Sequence, residues 1–345
     1  MELSKLQQSI IDAPYDKTVV IAAAASGKTQ TMTEKVRQLL RANINPKHIA
    51  VITFTNMAAS ELRLRLGEDY KDGLFVGTIH ALANYMLSSS GINTRKVLDE
   101  ENFDRLFEMV KENPRCVRHY EWVLLDEAQD SDKNQFDFIF NMIDPDCFFV
   151  VGDMRQCIYQ FNGSRPELLA SLARQPWVHA VSLNENYRNG YNILKFAKNI
   201  IERTGLEDDS VSRKIGNGIV REVPYNTDII VDRIRSEGEY RDWAILARTN
   251  SQLEHIAATL SANSIPWDTF KQGELKKLEL TERMNANTVK CLTIHSSKGL
   301  EFQNVIVVGA RFRPIEELNV CYVAATRAKE LLIWMNGGQT RKRRY

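Results

Sequence analysis

Two short clusters hold side chains that could handle a nucleotide. The run Thr18-Val19-Val20-Ile21-Ala22-Ala23-Ala24-Ala25-Ser26-Gly27-Lys28-Thr29-Gln30 sets Ser-Gly-Lys-Thr between a β-branched stretch and an amphipathic one. That strand–loop–helix setting is what a phosphate-binding loop requires. Backbone N–H groups at the helix start point toward phosphate, and the helix dipole favours negative charge there. Ala25, Ser26, Gly27 and Gln30 would line this cradle, Lys28 would reach the terminal phosphates, and the Thr29 hydroxyl would hold Mg²⁺. Downstream, the apolar run Trp122 to Leu125 delivers Asp126 and Glu127 at its end, followed by Ala128-Gln129-Asp130. Ligands of open α/β sheets collect at that end of a strand. Asp126 would hold Mg²⁺ through water, and Glu127 would polarise the attacking water as general base. One feature pulls the other way: alanines stand at 22–25, where glycines are usual. Alanine is at ease only where φ is negative, and its Cβ crowds a close phosphate. Either these positions are unstrained or nucleotide binding is weakened.

Short apolar runs alternating with amphipathic stretches are expected to build strand–helix units around parallel sheets. The first strand series is Thr18–Ala22, Ile49–Thr53, Gly73–Gly77, Trp122–Asp126, Phe148–Gly152 and Val181–Leu183. The second is Ile219–Val223, Trp243–Ala247, Val289–Ile294, Val305–Gly309 and Leu331–Met335. Lys28–Arg41, Ala58–Leu66 and Gln252–Ala262 have helical spacing. Asn84–Tyr120 reads as a small helical insertion, with Phe103, Leu106, Phe107 and Val110 on one face. Leu206–Asn217 reads as a polar loop and Gln272–Asn287 as a solvated helix or connector. The tail GGQTRKRRY reads as a basic, solvated end.

The 345 residues suggest two or three domains. With 45 basic against 44 acidic residues the net charge is +1, which argues against a histone-like or coat protein. Any nucleic-acid groove must therefore be a local arrangement. Five scattered cysteines with no CxxC pair suit reduced, buried thiols. The N-terminal stretch lacks the apolar core of a signal peptide, and no run approaches the roughly 18 apolar residues of a membrane span. A soluble, intracellular protein is expected.

Further motifs follow in one order along the chain. They are Leu3-Ser4-Lys5-Leu6-Gln7, Thr53-Phe54-Thr55-Asn56-Met57-Ala58-Ala59, Gly77-Thr78-Ile79-His80 and Gly152-Asp153-Met154-Arg155-Gln156-Cys157-Ile158-Tyr159-Gln160-Phe161. After them come Asn186-Tyr187-Arg188, Thr293-Ile294-His295-Ser296-Ser297-Lys298-Gly299-Leu300-Glu301-Phe302 and Tyr322-Val323-Ala324-Ala325-Thr326-Arg327-Ala328. With the two nucleotide clusters, this series resembles the UvrD/Rep/PcrA-type helicases of superfamily 1. The resemblance implies an α/β fold of two RecA-like parallel-sheet domains in tandem, residues 1–188 and 189–345, with a small helical insertion near 84–120 in the first. It implies that Gln7 reads adenine, Gln156 senses the γ-phosphate, and Tyr187 stacks on adenine. By the same resemblance Arg188 reaches the γ-phosphate, Glu301 contacts the ribose, and Arg327 is the arginine finger. Lys28, Glu127, Gln156, Arg188 and Arg327 would then be the catalytic set, with ATP and Mg²⁺ as cofactors. Thr53, Phe54, Thr55, Asn56, Thr78, His80, Tyr159, Phe161, Thr293 and His295 would touch single-stranded DNA. Exposed aromatic rings offer bases a sequence-tolerant stack. Because Arg188 and Arg327 lie beyond the first strand series, catalysis would need the second domain to close on the nucleotide.

Three departures bear on how much of the family's behaviour carries over. Relatives usually have glycine at Ala23 and Ala25, and arginine where Asn162 stands. Between Arg188 and Thr293 lie only about one hundred residues, too few for the large accessory domain that relatives insert there. The expectation is an ATP-driven 3′–5′ translocase on single-stranded DNA and at single-strand/duplex junctions, in the cytoplasm or nucleoid of a bacterial or phage-infected cell. Its strand separation would be weak without a partner that supplies duplex grip or nuclease activity. A DNA-end sensor or regulatory subunit of a partner complex is the competing reading. A small-molecule P-loop kinase would leave residues 293–302 and 322–328 unexplained. Repair, replication, phage replication and antiviral defence all stay open.

Overall fold

Central strands form where β-branched and aromatic residues run together, and being buried on both faces they need no polar side. The computed structural model describes residues 2–236, 238–270, 277–312 and 316–336. The chain divides into two compact units, Met1–Ala22 with Gly27–Leu183, and Ala23–Ser26 with Asn184–Tyr345.

The first unit holds β1 (Lys17–Ala22), β2 (Ile49–Ile52), β3 (Phe75–Gly77), β4 (Trp122–Leu125), β5 (Cys147–Gly152) and β6 (His179–Leu183). They form one parallel sheet in the order β3-β2-β4-β5-β1-β6. Its helices are α1 (Lys5–Asp12), α2 (Lys28–Arg41), α3 (Asn56–Leu66), α4 (Ile79–Ser89), α5 (Arg95–Asp99), α6 (Asp104–Glu112), α7 (Lys133–Asp137) and α8 (Pro166–Ala173). The pleat sends alternate residues to opposite faces. Val19, Ile52, Val123, Leu125 and Val150 thus meet Leu82, Met86, Leu106, Phe107 and Leu169 in one core. Val20, Val51, Leu124, Phe149 and Val151 meet Met32, Val36, Leu62 and Ile10 in the other. Burying each such side chain contributes about 1.5–3 kcal/mol. The helical stretch read from Asn84 to Tyr120 is therefore packed into the layer on one sheet face, beside Phe138, Ile139 and Leu169.

The second unit continues with β7 (Glu185–Asn186), β8 (Val211–Ser212), β9 (Ile219–Pro224), β10 (Trp243–Ala247), β11 (Trp267–Asp268), β12 (Val289–Thr293), β13 (Phe302–Val308) and β14 (Ala328–Asn336). Its helices are α9 (Tyr191–Ile201), α10 (Thr227–Ser236), α11 (Asn250–Ala262), α12 (Lys277–Asn285) and α13 (Glu316–Ala325). The main sheet is again parallel, in the order β11-β12-β10-β13-β14-β9. Ile245, Cys291, Ile306 and Ile333 pack beneath Ile230, Ile256 and Leu260. The fold class is as expected: two RecA-like parallel-sheet cores with flanking helices.

The differences are local. β13 begins at Phe302 and β14 at Ala328, earlier than their apolar runs, because Phe302 pairs with Ala328 and polar Asn304 with Leu331, across an irregularity in the ladder. Gly73, at φ 89, belongs to a turn, so β3 starts only at Phe75. Within the expected polar loop 206–217, Val211–Ser212 pairs with β7. Of Gln272–Asn287, residues 272–276 lie outside the described residues, as does the basic tail from Gly337. Cys116, Cys157, Cys291 and Cys321 are buried free thiols, and Cys147 is half-buried. No described helix is long and apolar enough to cross a membrane.

Candidate active site

Loops at the C-terminal ends of the first sheet carry most candidate residues. The loop after β1 leads into α2, whose N-cap is Gly27 at φ 81, without a side-chain cap. A first helical turn leaves backbone N–H groups without intrahelical acceptors, at the positive end of the helix dipole. Lys28, Thr29 and Gln30 open that turn and are half-buried. Glycine is required at 27 for its positive φ and because a Cβ would meet Gln7 Nε2 at 2.4 Å. Gln7 is held by a reciprocal cap: Ser4 N donates to its Oε1 at 2.8 Å, and Gln7 N donates to Ser4 Oγ at 3.1 Å. One half of the amide expected to read adenine is thus engaged in the α1 cap, and the other half lies against Gly27.

The alanine question has a geometric answer. Ala25 sits at φ 57 in the left-handed region, where a Cβ is strained. We expect Ala25→Gly to raise stability by about 0.5–1 kcal/mol, since relief of roughly 1–2 kcal/mol of strain exceeds glycine's added chain entropy. Urea denaturation would check this, and an unchanged or lower midpoint would count against strain at Ala25.

At the end of β4, Asp126 is buried and its N–H donates to Ile52 O at 2.9 Å. Its Oδ1 accepts from Glu127 N at 2.9 Å. Glu127 itself stands at φ 50, a second non-glycine residue in the left-handed region. Fully buried Gln129 donates from Nε2 to Glu127 Oε2 and accepts Asp153 N at Oε1, 2.9 Å away. Beyond β5, Asp153 takes Arg155 Nε at 2.6 Å on one oxygen and Gln156 Nε2 at 2.6 Å on the other. Gln156 is 4% exposed, so Asp153 fixes the orientation of its amide.

Toward β2 and β3 the same sheet edge presents different chemistry. Thr53 is buried with Oγ1 donating to Thr55 O at 3.0 Å, Thr55 caps α3 through Ala58 N, and Asn56 is exposed. Thr78 caps α4 through Ala81 N at 3.2 Å. Phe54 stacks on Tyr159 with centroids 5.4 Å apart, and Phe161 follows at 6.3 Å, 71% exposed. His80 stacks on Phe107 at 5.1 Å. Burial lowers its pKa against the pull of Asp104 and Asp132, so it offers a neutral ring.

The second unit groups its candidates by itself. Asn186 Oδ1 accepts from Arg188 N and Asn189 N, while its Nδ2 donates to Ala24 O at 3.0 Å and to Asn189 Oδ1 at 2.8 Å. Tyr187 is 41% exposed and its hydroxyl donates to Glu185. Arg188 donates from Nε to Glu301 Oε2 at 2.7 Å and from Nη1 to Thr326 O at 3.2 Å. Lys329 meets the other oxygen of Glu301 at 2.5 Å. Burial raises the Glu301 carboxyl, but Arg188 and Lys329 together outweigh it and hold its pKa at about 2. Arg327 is 1% exposed and donates to Val323 O, Leu300 O and Thr326 Oγ1 at 2.9–3.1 Å. Thr293 Oγ1 donates to Ser296 Oγ at 2.9 Å in the turn that carries His295. Asn189 and Lys329 were not singled out by sequence. Asn189 donates to Thr326 O and Ala328 O, the carbonyls on either side of Arg327. Nothing local in the chain signals that contact.

Two family profiles match the chain in successive stretches. The profile of the UvrD/REP helicase N-terminal domain matches residues 3–114 and 101–176, and that of the UvrD-like helicase C-terminal domain matches 288–335. The chain is 22% identical to DNA helicase II of Haemophilus influenzae over 96% of its own length and 59% of the relative's. It is 24% identical to ATP-dependent DNA helicase Rep of Escherichia coli, over 81% of the chain and 57% of Rep. Identity to ATP-dependent DNA helicase PcrA of Leuconostoc citreum is also 24%, over 95% of the chain and 59% of PcrA. The chain thus spans about three-fifths of the length of the curated relatives it matches. With the N-terminal profile running from residue 3 to 176 and the C-terminal one following in order, the chain belongs to the UvrD/REP helicase family.

Proposed function

We propose that this protein hydrolyses ATP with Mg²⁺ and uses the cycle to move 3′ to 5′ along single-stranded DNA, separating duplex as it goes. The observation that carries the reading is the division of one sheet edge. Lys28, Gln156 and Glu127 follow the neighbouring strands β1, β5 and β4, while Thr53–Asn56 and Thr78–His80 follow β2 and β3. Chemistry suited to phosphate thus adjoins chemistry suited to a base-bearing strand.

The residues at the phosphate end fit the cofactors. An uncapped fourteen-residue helix with half-buried Lys28 and Thr29 offers donors to the phosphates. Asp126 with the Thr29 hydroxyl is the sparse ligand set Mg²⁺ takes when substrate phosphates and water complete its shell. Bound Mg²⁺ would offset charge on the β- and γ-oxygens. Glu127 would take the proton of the attacking water, and Gln156 would monitor the γ-phosphate. Arg188 and Arg327 would supply charge from the second domain, with Tyr187 and Gln7 at the base and Glu301 at the ribose. On the other side Phe54, Tyr159 and Phe161 would stack bases, each worth about 1–3 kcal/mol. Thr293 and His295 would hold the strand in the second domain.

Ala25 at φ 57 favours one other reading, a DNA-end sensor that binds nucleotide weakly and regulates a partner nuclease or repair complex. Steady-state ATP hydrolysis with and without oligo(dT) separates the two. We expect single-stranded DNA to stimulate the wild type strongly and Lys28→Ala to lose the response. Turnover indifferent to DNA would sink the motor and leave the sensor.

A further inference from the structure

The segment from Asp153 to Arg165 begins beside the nucleotide candidates and reaches the aromatic platform, and on the way it is laced to the loop that bears Glu127. Three bonds make the lacing. Asp153 N donates to Gln129 Oε1 at 2.9 Å, Ser164 Oγ donates to Asp130 O at 2.6 Å, and Arg165 N donates to Ser131 O at 3.0 Å. Tyr159, which stacks on Phe54, and Phe161, whose ring is tilted against Tyr159, lie between the laced ends. The candidate general base and the candidate DNA platform are therefore parts of one hydrogen-bonded body.

Gln129 is the member that touches Glu127. Its Oε1 accepts a backbone N–H, which fixes the amide so that Nε2 faces the Glu127 carboxylate, and Nε2 donates to Oε2 there. Gln129 has no exposed surface, so this orientation is not exchanged with solvent. Gly152 makes room for it: a Cβ at 152 would come within 2.8 Å of Gln129 Oε1 and 2.5 Å of Leu169 Cδ2. Glu127 meanwhile holds a left-handed backbone at φ 50, a conformation that persists only where its surroundings impose it.

We infer that Gln129 is a positioning residue, through which the placement of the aromatic platform sets the position of the Glu127 carboxylate. Resting on the proposed ATP-driven function, this makes Gln129 the link by which a bound strand raises hydrolysis. A strand stacked on Tyr159 and Phe161 steadies the 153–165 segment, and the Asp153 N–H then steadies the Gln129 amide against Glu127. Gln129 itself is fully buried and acts only through the Glu127 carboxylate it holds.

The test uses the full chain and oligo(dT), with kcat and KM for ATP and the DNA dissociation constant measured together. Gln129→Met keeps the side-chain length and adds no charge but removes the donor to Glu127, together with the acceptor for Asp153 N. We expect kcat in the presence of DNA to fall about tenfold or more, with KM and DNA affinity within about twofold of wild type. A kcat within twofold of wild type would overturn the inference. If Gln129→Met shifts kcat, KM and DNA affinity together, Ser164→Ala decides. It removes one bond of the lacing without vacating Gln129, and a smaller ratio of DNA-stimulated to unstimulated turnover supports the inference, whereas an unchanged ratio overturns it. A wild type whose hydrolysis ignores DNA removes both the proposed function and this inference, whereas a normal Gln129→Met enzyme removes only the latter.

Discussion

Glu127→Gln is expected to cut DNA-stimulated ATP turnover by about 10²–10⁴-fold while ATP and DNA both still bind. The size follows from the role: removing a positioned general base typically costs that much. The split between binding and turnover follows from the geometry. Glu127 shares its neighbourhood with Asp126, which keeps its own bonds to Ile52 O and Glu127 N whatever side chain stands at 127. Gln129 would then face an amide in place of a carboxylate, and an amide oxygen can still accept from its Nε2. The loop should therefore hold its shape. Single-turnover hydrolysis beside equilibrium binding of a fluorescent ATP analogue would read the two effects separately. A variant that turns over at more than about a tenth of the wild-type rate would take the general-base role from Glu127.

What could be seen in advance, and what could not, divides along a physical line. The phosphate loop and the acidic pair are contiguous and follow strong apolar runs, so local pattern was enough to find both and to put them at strand ends. The strand order was not readable, because β4 pairs with β2 and β5 across more than seventy residues for the first partner, through long-range burial. The φ 57 of Ala25 is likewise invisible, since alanine's own preference is for negative φ and only its surroundings hold it otherwise. Gln129 stood inside a motif that was read, yet its two partners are a neighbour two positions back and a backbone N–H twenty-four positions on. No spacing rule links them. β9, an edge strand with no fully buried residue, could still be read from Ile219 and Val223, whereas the two-residue β8 carried too little apolar character to register.

Arg327 is where expectation and geometry pull hardest against each other, and its substitution should behave unlike that of Arg188. A guanidinium read as an arginine finger is expected to face a phosphate, but this one is buried among backbone carbonyls of its own unit. The reason is chemical: five N–H donors in a rigid fork can satisfy the end of α13 and the turn before β13 at once, which a lysine cannot do. Arg327→Ala would take that donor from Leu300 O, at a cost of about 1–3 kcal/mol for a buried group left unsatisfied, while Val323 O would keep Thr326 Oγ1. Arg188 is different. Its partners are the Glu301 carboxylate and Thr326 O, and when it is removed Glu301 keeps Lys329 and Thr326 O keeps Asn189. Arg188→Ala should therefore melt close to wild type yet lose about 10³-fold or more in turnover, the scale of a cation that meets the transferring phosphoryl. Arg327→Ala should lose both stability and turnover, and Arg327→Lys should restore neither. Thermal melts run beside DNA-stimulated hydrolysis of the three variants would check this. If Arg327→Ala melts like wild type, the burial of Arg327 is not the structural tie that its three carbonyl and hydroxyl partners make it; if Arg188→Ala melts early, its pair with Glu301 is itself structural and the contrast between the two arginines fails.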